Sequence, residues 1–221
     1  LTEINNTVEG ENNGLPLITG DLTLNGAGFT ISRDQSYDCS DSFPQFRLLS
    51  VADSAEVTLD NLGLENGCVL DNETGFGGAI LNQGLLLLQN GTTLSDNDAD
   101  GKGGAIYNGG LLAIEESSFI NNGNDESTSL QGGSIYNDGF MGIVESGIGH
   151  NDAYEGGGVY NEGYAVISAT TVYSNAVNFS LATPGNYAGI YNSGTMELQN
   201  STLTHNISWI TGGIFNDTTG T

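Results

Sequence analysis

After each of five glycines, Gly84, Gly110, Gly139, Gly163 and Gly194, apolar residues stand at the second and fourth places: Leu86 and Leu88, Leu112 and Ile114, Met141 and Ile143, Ala165 and Ile167, Met196 and Leu198. A period of two marks strands with one buried face, not helices. A third apolar position recurs at Leu94, Phe119, Ile148, Val172 and Leu203, and a fourth at Ile80, Ile106, Ile135, Val159, Ile190 and Ile214. The pattern predicts three short strands per unit, with Gly103 to Asn122, GGAIYNGGLLAIEESSFINN, as one clear copy.

Polar positions recur just as regularly. One asparagine column runs through Asn82, Asn108, Asn137, Asn161, Asn192 and Asn216, and a second through Asn97, Asn122, Asn151, Asn175 and Asn206. The spacing from the first to the second is 15 and then 14 four times, while the whole unit varies from 24 to 31 residues. Fixed rungs joined by variable loops describe a solenoid. The expected fold is an all-β, single-stranded, right-handed parallel β-helix of roughly eight rungs. It would span residues 15–221, with the clear repeats at 78–217, behind an arm or cap at residues 1–14. An inward asparagine at each bend would hydrogen-bond the rungs above and below it.

These units resemble the polymorphic-membrane-protein type of extracellular β-helix repeat, within the broad pectate-lyase-like architecture. The segments LTLNGAGFTIS (Leu22 to Ser32) and FRLLSVADSAEVTLDNLGLENG (Phe46 to Gly67) resemble the opening rungs of that family. What the resemblance implies is an extracellular, non-enzymatic, adhesive or structural role. It also implies a basic residue entering a strand, a place that Arg47 fills, with a structural pairing to a carboxylate expected there.

Composition narrows the function classes. With 27 acids against Arg33, Arg47 and Lys102, the 221-residue chain carries a formal charge of −24. Phosphate neutralisation needs Lys and Arg, so a nucleic-acid partner is excluded, and an anionic membrane surface is disfavoured for the same reason. The longest wholly apolar run, Leu85 to Leu88, is far too short to span a bilayer, so direct membrane insertion is not expected. Leu1 opens without a signal-peptide pattern and is expected to be a mature start after processing. Gly is 34 residues and Pro 3, without a G-X-Y period, which excludes collagen and favours tight turns.

Few residues carry chemistry. Cys39 and Cys68, in an acidic chain expected to be secreted, suggest one disulfide, the alternative being two free thiols in a reducing compartment. Asp96, Asp98 and Asp100 form a D-x-D-x-D-G run suited to a structural Ca²⁺, although Tyr107 stands where the bidentate Glu of that loop belongs. A solvated acidic turn is the alternative. Glu116 and Glu145 occupy one column, so adjacent rungs would bring two carboxylates about 4.8 Å apart. Any two acids in one column meet that test, and no catalytic residue is assigned. Lys102 has no recognisable lyase partner set. His150 and His205 are expected to be solvent-facing turn residues, two rungs apart.

Tyr107, Tyr136, Tyr160 and Tyr191 precede the first asparagine column and are expected on the outer face. There they form either a stabilising ring ladder or a platform for sugar rings. Among the N-x-S/T sequons, Asn72 and Asn178 are the expected glycan acceptors, being in loops. Leu85, Leu111, Phe140 and Tyr164 occupy the first outward position after each glycine and predict an apolar outer strip that a neighbouring copy covers. The final copy stops after one strand, which adds the expectation of a head-to-tail contact. The sequence therefore points to a structural subunit of an extracellular fibre or coat whose partner is itself. An adhesin for glycans or cell-surface ligands stands second, and a polysaccharide lyase or glycoside hydrolase third.

Overall fold

The computed structural model describes residues 1–8, 11–36, 39–40, 43–70, 75–123, 130–177, 186–217 and 220. Among these residues every regular element is a strand, and three parallel sheets of seven strands each wrap a common core. The first sheet stacks Leu49–Val51, Ile80–Asn82, Ile106–Asn108, Ile135–Asn137, Val159–Asn161, Ile190–Asn192 and Ile214–Asn216. We call it the tyrosine sheet. The long-strand sheet stacks Leu22–Asn25, Glu56–Asp60, Leu85–Gln89, Leu111–Glu115, Phe140–Val144, Tyr164–Ser168 and Thr195–Gln199. The third sheet runs from Thr30–Ser32 to Thr202–Thr204. Because chain order carries each turn through all three sheets before the next begins, the architecture is a parallel β-helix. The six stacked asparagines from Asn82 to Asn216 mark about five turns of the clear repeats, so the expected eight rungs are an overcount. The front strands, such as Leu22–Asn25 and Glu56–Asp60, extend the same sheets but lie outside the asparagine-marked repeats.

Alternation works as the sequence predicts. The inward column Ile80, Ile106, Ile135, Val159 and Ile190 is fully buried, as are Leu94, Phe119, Ile148 and Val172 in the third sheet. Register is in phase at every step: Leu112 sits opposite Met141, and Met141 opposite Ala165. A slip of one residue would turn each of these columns to solvent, which is what holds the register. The Gly-Gly that opens four of the units serves two separate needs. Gly103 adopts φ +70°, a conformation that side chains resist, and a Cβ on Gly104 would lie 2.2 Å from the carbonyl oxygen of Gly133 in the next turn.

At the front of the solenoid, Asn6–Val8 pairs antiparallel with Glu11–Asn13, and this hairpin docks on its own chain. The Gly14 amide donates to the Arg47 carbonyl (2.8 Å) and the Arg47 amide to the Asn12 carbonyl (2.9 Å). The buried Arg47 guanidinium donates to the carbonyl oxygens of Phe76 (3.0 Å) and Gly77 (3.2 Å) and to Asn13 Oδ1 (3.4 Å). Two backbone carbonyls and a side-chain amide oxygen are thus partners of this cation. Cys39 and Cys68 form a disulfide with a Cα–Cα distance of 5.6 Å, closing a loop of sequence separation 29.

Candidate functional site

Two asparagine ladders run the length of the repeats. In the first, each side-chain amide donates to the oxygen of the next: Asn82 to Asn108, Asn108 to Asn137, Asn137 to Asn161 and Asn161 to Asn192, all at 2.7 Å, then Asn192 to Asn216 at 2.6 Å. The amides of Asn82, Asn108, Asn137 and Asn161 also reach a backbone carbonyl of the following turn, as Asn137 does to Tyr164 (3.2 Å). The second ladder joins Asn97, Asn122, Asn151, Asn175 and Asn206 at 2.9 to 3.0 Å. Their starts differ. Asn97 Oδ1 accepts from the Gly67 amide (2.9 Å), whereas Val51 stands opposite Asn82 and leaves the buried Asn82 Oδ1 without a partner. A serine and threonine column that the sequence reading missed runs between the long-strand and third sheets. Within it the Ser117 amide donates to Ser146 Oγ (3.1 Å) and the Thr170 amide to Ser201 Oγ (3.2 Å). Its signal was present in the sequence as Thr92, Ser117, Ser146, Thr170 and Ser201, two residues before each third-sheet apolar position.

The three aspartates of the acidic run sit in different settings. Asp96 is the exposed left-handed residue of a turn (φ +55°), Asn97 is spent on its ladder, and Asp98 pairs in a short strand with Cys68. Among the described residues no group of three or more His, Cys, Asp or Glu side chains is placed to hold a metal ion. Asn66, Asn121, His150, Ser174 and His205 share that turn position, all with positive φ. His150 packs edge-on against Tyr173, with ring centroids 5.4 Å apart.

Glu116 and Glu145 belong to a second left-handed column with Asn61, Asn90, Ala169 and Asn200 (φ +44° to +56°). Both glutamates are exposed at the convex turn rather than in a cleft. Their shared column reflects the needs of the turn.

The tyrosine column takes the form of the ring ladder, one of the two forms expected for it. Tyr107, Tyr136, Tyr160 and Tyr191 stack with centroids 5.5, 5.2 and 4.4 Å apart and interplanar angles of 8°, 11° and 15°. Phe76 stacks on Tyr107 (5.0 Å) and Phe215 on Tyr191 (5.5 Å). Tyr136 is fully buried, with Tyr160 and Tyr191 nearly so. Each ring face is covered by its neighbour rather than open to a sugar ring. The bridge residues Lys102, Gln131 and Glu155 form a fourth row alongside the tyrosine sheet, which the repeat pattern alone did not reveal.

The phenols are hydrogen-bonded through the column. Tyr107 donates to Asp138 Oδ2 (3.3 Å), Tyr136 to Glu162 Oε2, and Tyr191 to Asp217 Oδ2 (3.2 Å). The Tyr160 ring stacks between Tyr136 and Tyr191. Lys102 Nζ lies 4.1 Å from the centre of the Tyr136 ring and 3.9 Å from Glu162 Oε2. Burial, then the bond to Glu162 and its charge, holds Tyr136 protonated far beyond the ordinary phenol range. Burial does the same for Tyr160, reinforced by Tyr191 and nearby acids. Glu155 is also pushed up by burial, partly offset by a hydrogen bond from Gln131.

On the long-strand sheet the apolar strip is exposed. Leu111 is 46 % exposed, Phe140 63 % and Tyr164 38 %, with Leu85 half-buried beside them in register. Between them Ala113, Gly142 and Val166 floor an open dimple of about 200 Å³. The front hairpin docks near Arg47 and leaves this strip uncovered. Asn72 and Asn178 lie outside the described residues. Of the other sequons, Asn206 and Asn216 are committed to the ladders, while Asn5, Asn90 and Asn200 are exposed.

Compared with protein-family models, curated proteins and solved structures, the chain matches none. Among the described residues no helix is long and apolar enough to cross a membrane, and the disulfide suits a non-reducing environment.

Proposed function

We propose that this chain is an extracellular structural protein, of the kind the polymorphic-membrane-protein repeat represents, and that copies pack side by side into a surface fibre or coat. The exposed strip of Leu111, Phe140 and Tyr164 carries the reading. In a chain of charge −24, its eight outward positions on four adjacent strands, from Leu85 to Val166, carry no charge at all. Four strands about 4.8 Å apart, each offering two outward side chains, give a patch of roughly 300 Å². A stable pairwise interface takes about 800 Å² per partner. One such contact is therefore weak, and it becomes useful where many act together, as in a fibre or coat. The disulfide and the exposed sequon at Asn90 agree with an oxidising exterior.

Replacing Leu111 and Phe140 by Asp tests the idea. The wild-type chain should assemble with rising concentration in sedimentation velocity and form ordered objects in negative stain, whereas the double variant stays monomeric with an unchanged circular dichroism spectrum. A wild type that is monomeric at millimolar concentration, or assemblies unaffected by the double variant, would sink it. A second reading, a glycan-directed adhesin, draws on the Phe140–Tyr164 pair, whose ring centroids lie 6.1 Å apart in the open. Glycan binding by a strictly monomeric chain, lost in Phe140→Ala, would favour that reading.

A further inference from the structure

Stacking alone does not account for the hydroxyls of the tyrosine ladder. Phe215 occupies the same column directly after Tyr191, so a ring without a hydroxyl fits this environment. Yet the four positions between Leu81 and Phe215 are all phenols, and burying a hydroxyl is unfavourable unless it is hydrogen-bonded. Three of them donate directly to a carboxylate.

We propose that this ladder is a relay for one-electron oxidation, a sink that takes a hole from a small oxidising radical at the protein surface and stores it on buried Tyr136. Half-buried Tyr107 is the point where the oxidant gains access. Electron loss makes a phenol strongly acidic, so its proton must leave with the electron. At Tyr136 the electron passes outward through Tyr107 to the oxidant, and the hydroxyl proton moves to Glu162, leaving a neutral phenoxyl radical and a carboxylic acid. Lys102 Nζ, 4.1 Å from the ring centre, opposes a cationic radical and so enforces that proton transfer. Near-parallel rings with centroids 4.4 to 5.5 Å apart place each donor in contact with its acceptor. Burial keeps the stored radical from coupling with one on another molecule.

This inference does not depend on self-association, and its test uses the monomeric range of concentration. The full chain is oxidised with photogenerated tris(bipyridine)ruthenium(III), frozen at intervals and read by electron paramagnetic resonance. Wild type should show a long-lived tyrosyl signal besides the brief signals of exposed Tyr164 and Trp209. In Tyr136→Phe/Tyr160→Phe the long-lived fraction should vanish while the brief ones persist, with circular dichroism unchanged. Glu162→Gln keeps an acceptor oxygen but takes up no proton, so it should lower the long-lived yield several-fold; it decides the matter if the double variant fails to fold. A long-lived fraction that is absent from wild type, or equal in Glu162→Gln, overturns the proposal.

Discussion

Truncating ladder asparagines should cost different amounts at different turns, although the residue and the backbone geometry are the same. In Asn137→Ala the Asn161 oxygen loses its 2.7 Å donor, the Tyr164 carbonyl loses a bond of 3.2 Å, and the Asn108 amide loses its acceptor. The Asn108 amide still reaches the Phe140 carbonyl at 3.2 Å. One newly orphaned buried acceptor at about 1–3 kcal/mol and two ordinary bonds at about 1 kcal/mol each give a loss of about 3–5 kcal/mol. Asn82→Ala orphans Asn108 Oδ1 in the same way and breaks the bond to the Leu111 carbonyl, but Asn82 receives no bond from an earlier turn. It also removes a buried oxygen that has no partner in the native state, and so relieves a penalty of about 1–3 kcal/mol. Asn82→Ala should therefore be the milder change by about 2–4 kcal/mol, or about 1–2 M in urea midpoint. Urea titrations followed by circular dichroism and by Trp209 fluorescence would measure both. Equal losses at equal m-value, or a larger loss at Asn82, would refute the reasoning that the ladder starts with an unsatisfied end.

Ala169 holds φ +49° in a column otherwise made of Asn and Glu, so Ala169→Gly should raise stability by about 1 kcal/mol, read as a higher thermal midpoint. Removing the disulfide by Cys39→Ser/Cys68→Ser should cost about 3–4 kcal/mol for a loop of sequence separation 29, and reductant should destabilise wild type but not the double variant. Glu155 has its carboxyl pushed above the ordinary 4.5 by burial, so the folded state prefers it protonated. That contribution is present below pH 4.5 and is lost as pH rises through the folded value. Glu155→Gln should thus stabilise the protein at pH 7 and lose its advantage in acid, which a pair of melting curves would show. The phenols carry the same sign at the other extreme. Stability should fall as pH rises above the unfolded tyrosine value of 10, and less steeply in Tyr136→Phe.

The rungs were legible in the sequence because their causes are local and repeated. Ile106, Leu112, Ile114 and Phe119 announce an inward face by spacing alone, and Asn108 and Asn122 mark bends that only a side-chain amide satisfies from both sides. What escaped was set by neighbours far along the chain. Alternation put Tyr136 on the outer side of its strand correctly, but the covering row of Lys102, Gln131 and Glu155 comes from stretches with no apolar pattern. The alternating aspartates Asp96, Asp98 and Asp100 show the same limit, since spacing says nothing of the left-handed conformation at Asp96. Glu116 and Glu145 misled in the opposite sense: their column is real, and its cause is conformational. The exposed strip was read correctly, since both its alternation and its lack of charge are written in the residues themselves.

The side-chain amides of each asparagine ladder all point the same way along the axis, donor forward and acceptor back. Every join in the stack is therefore chemically the same as every other. An oxygen at Asn161 has no means of telling whether the amide beneath it belongs to Asn137 or to Asn108. The bonding pattern fixes pitch and direction but contains no measure of length, so whole turns can be deleted, duplicated or reordered without creating a new kind of contact. A protein built in this way can lengthen or shorten by recombination within its own gene, one turn at a time, and each product inherits a finished set of joints.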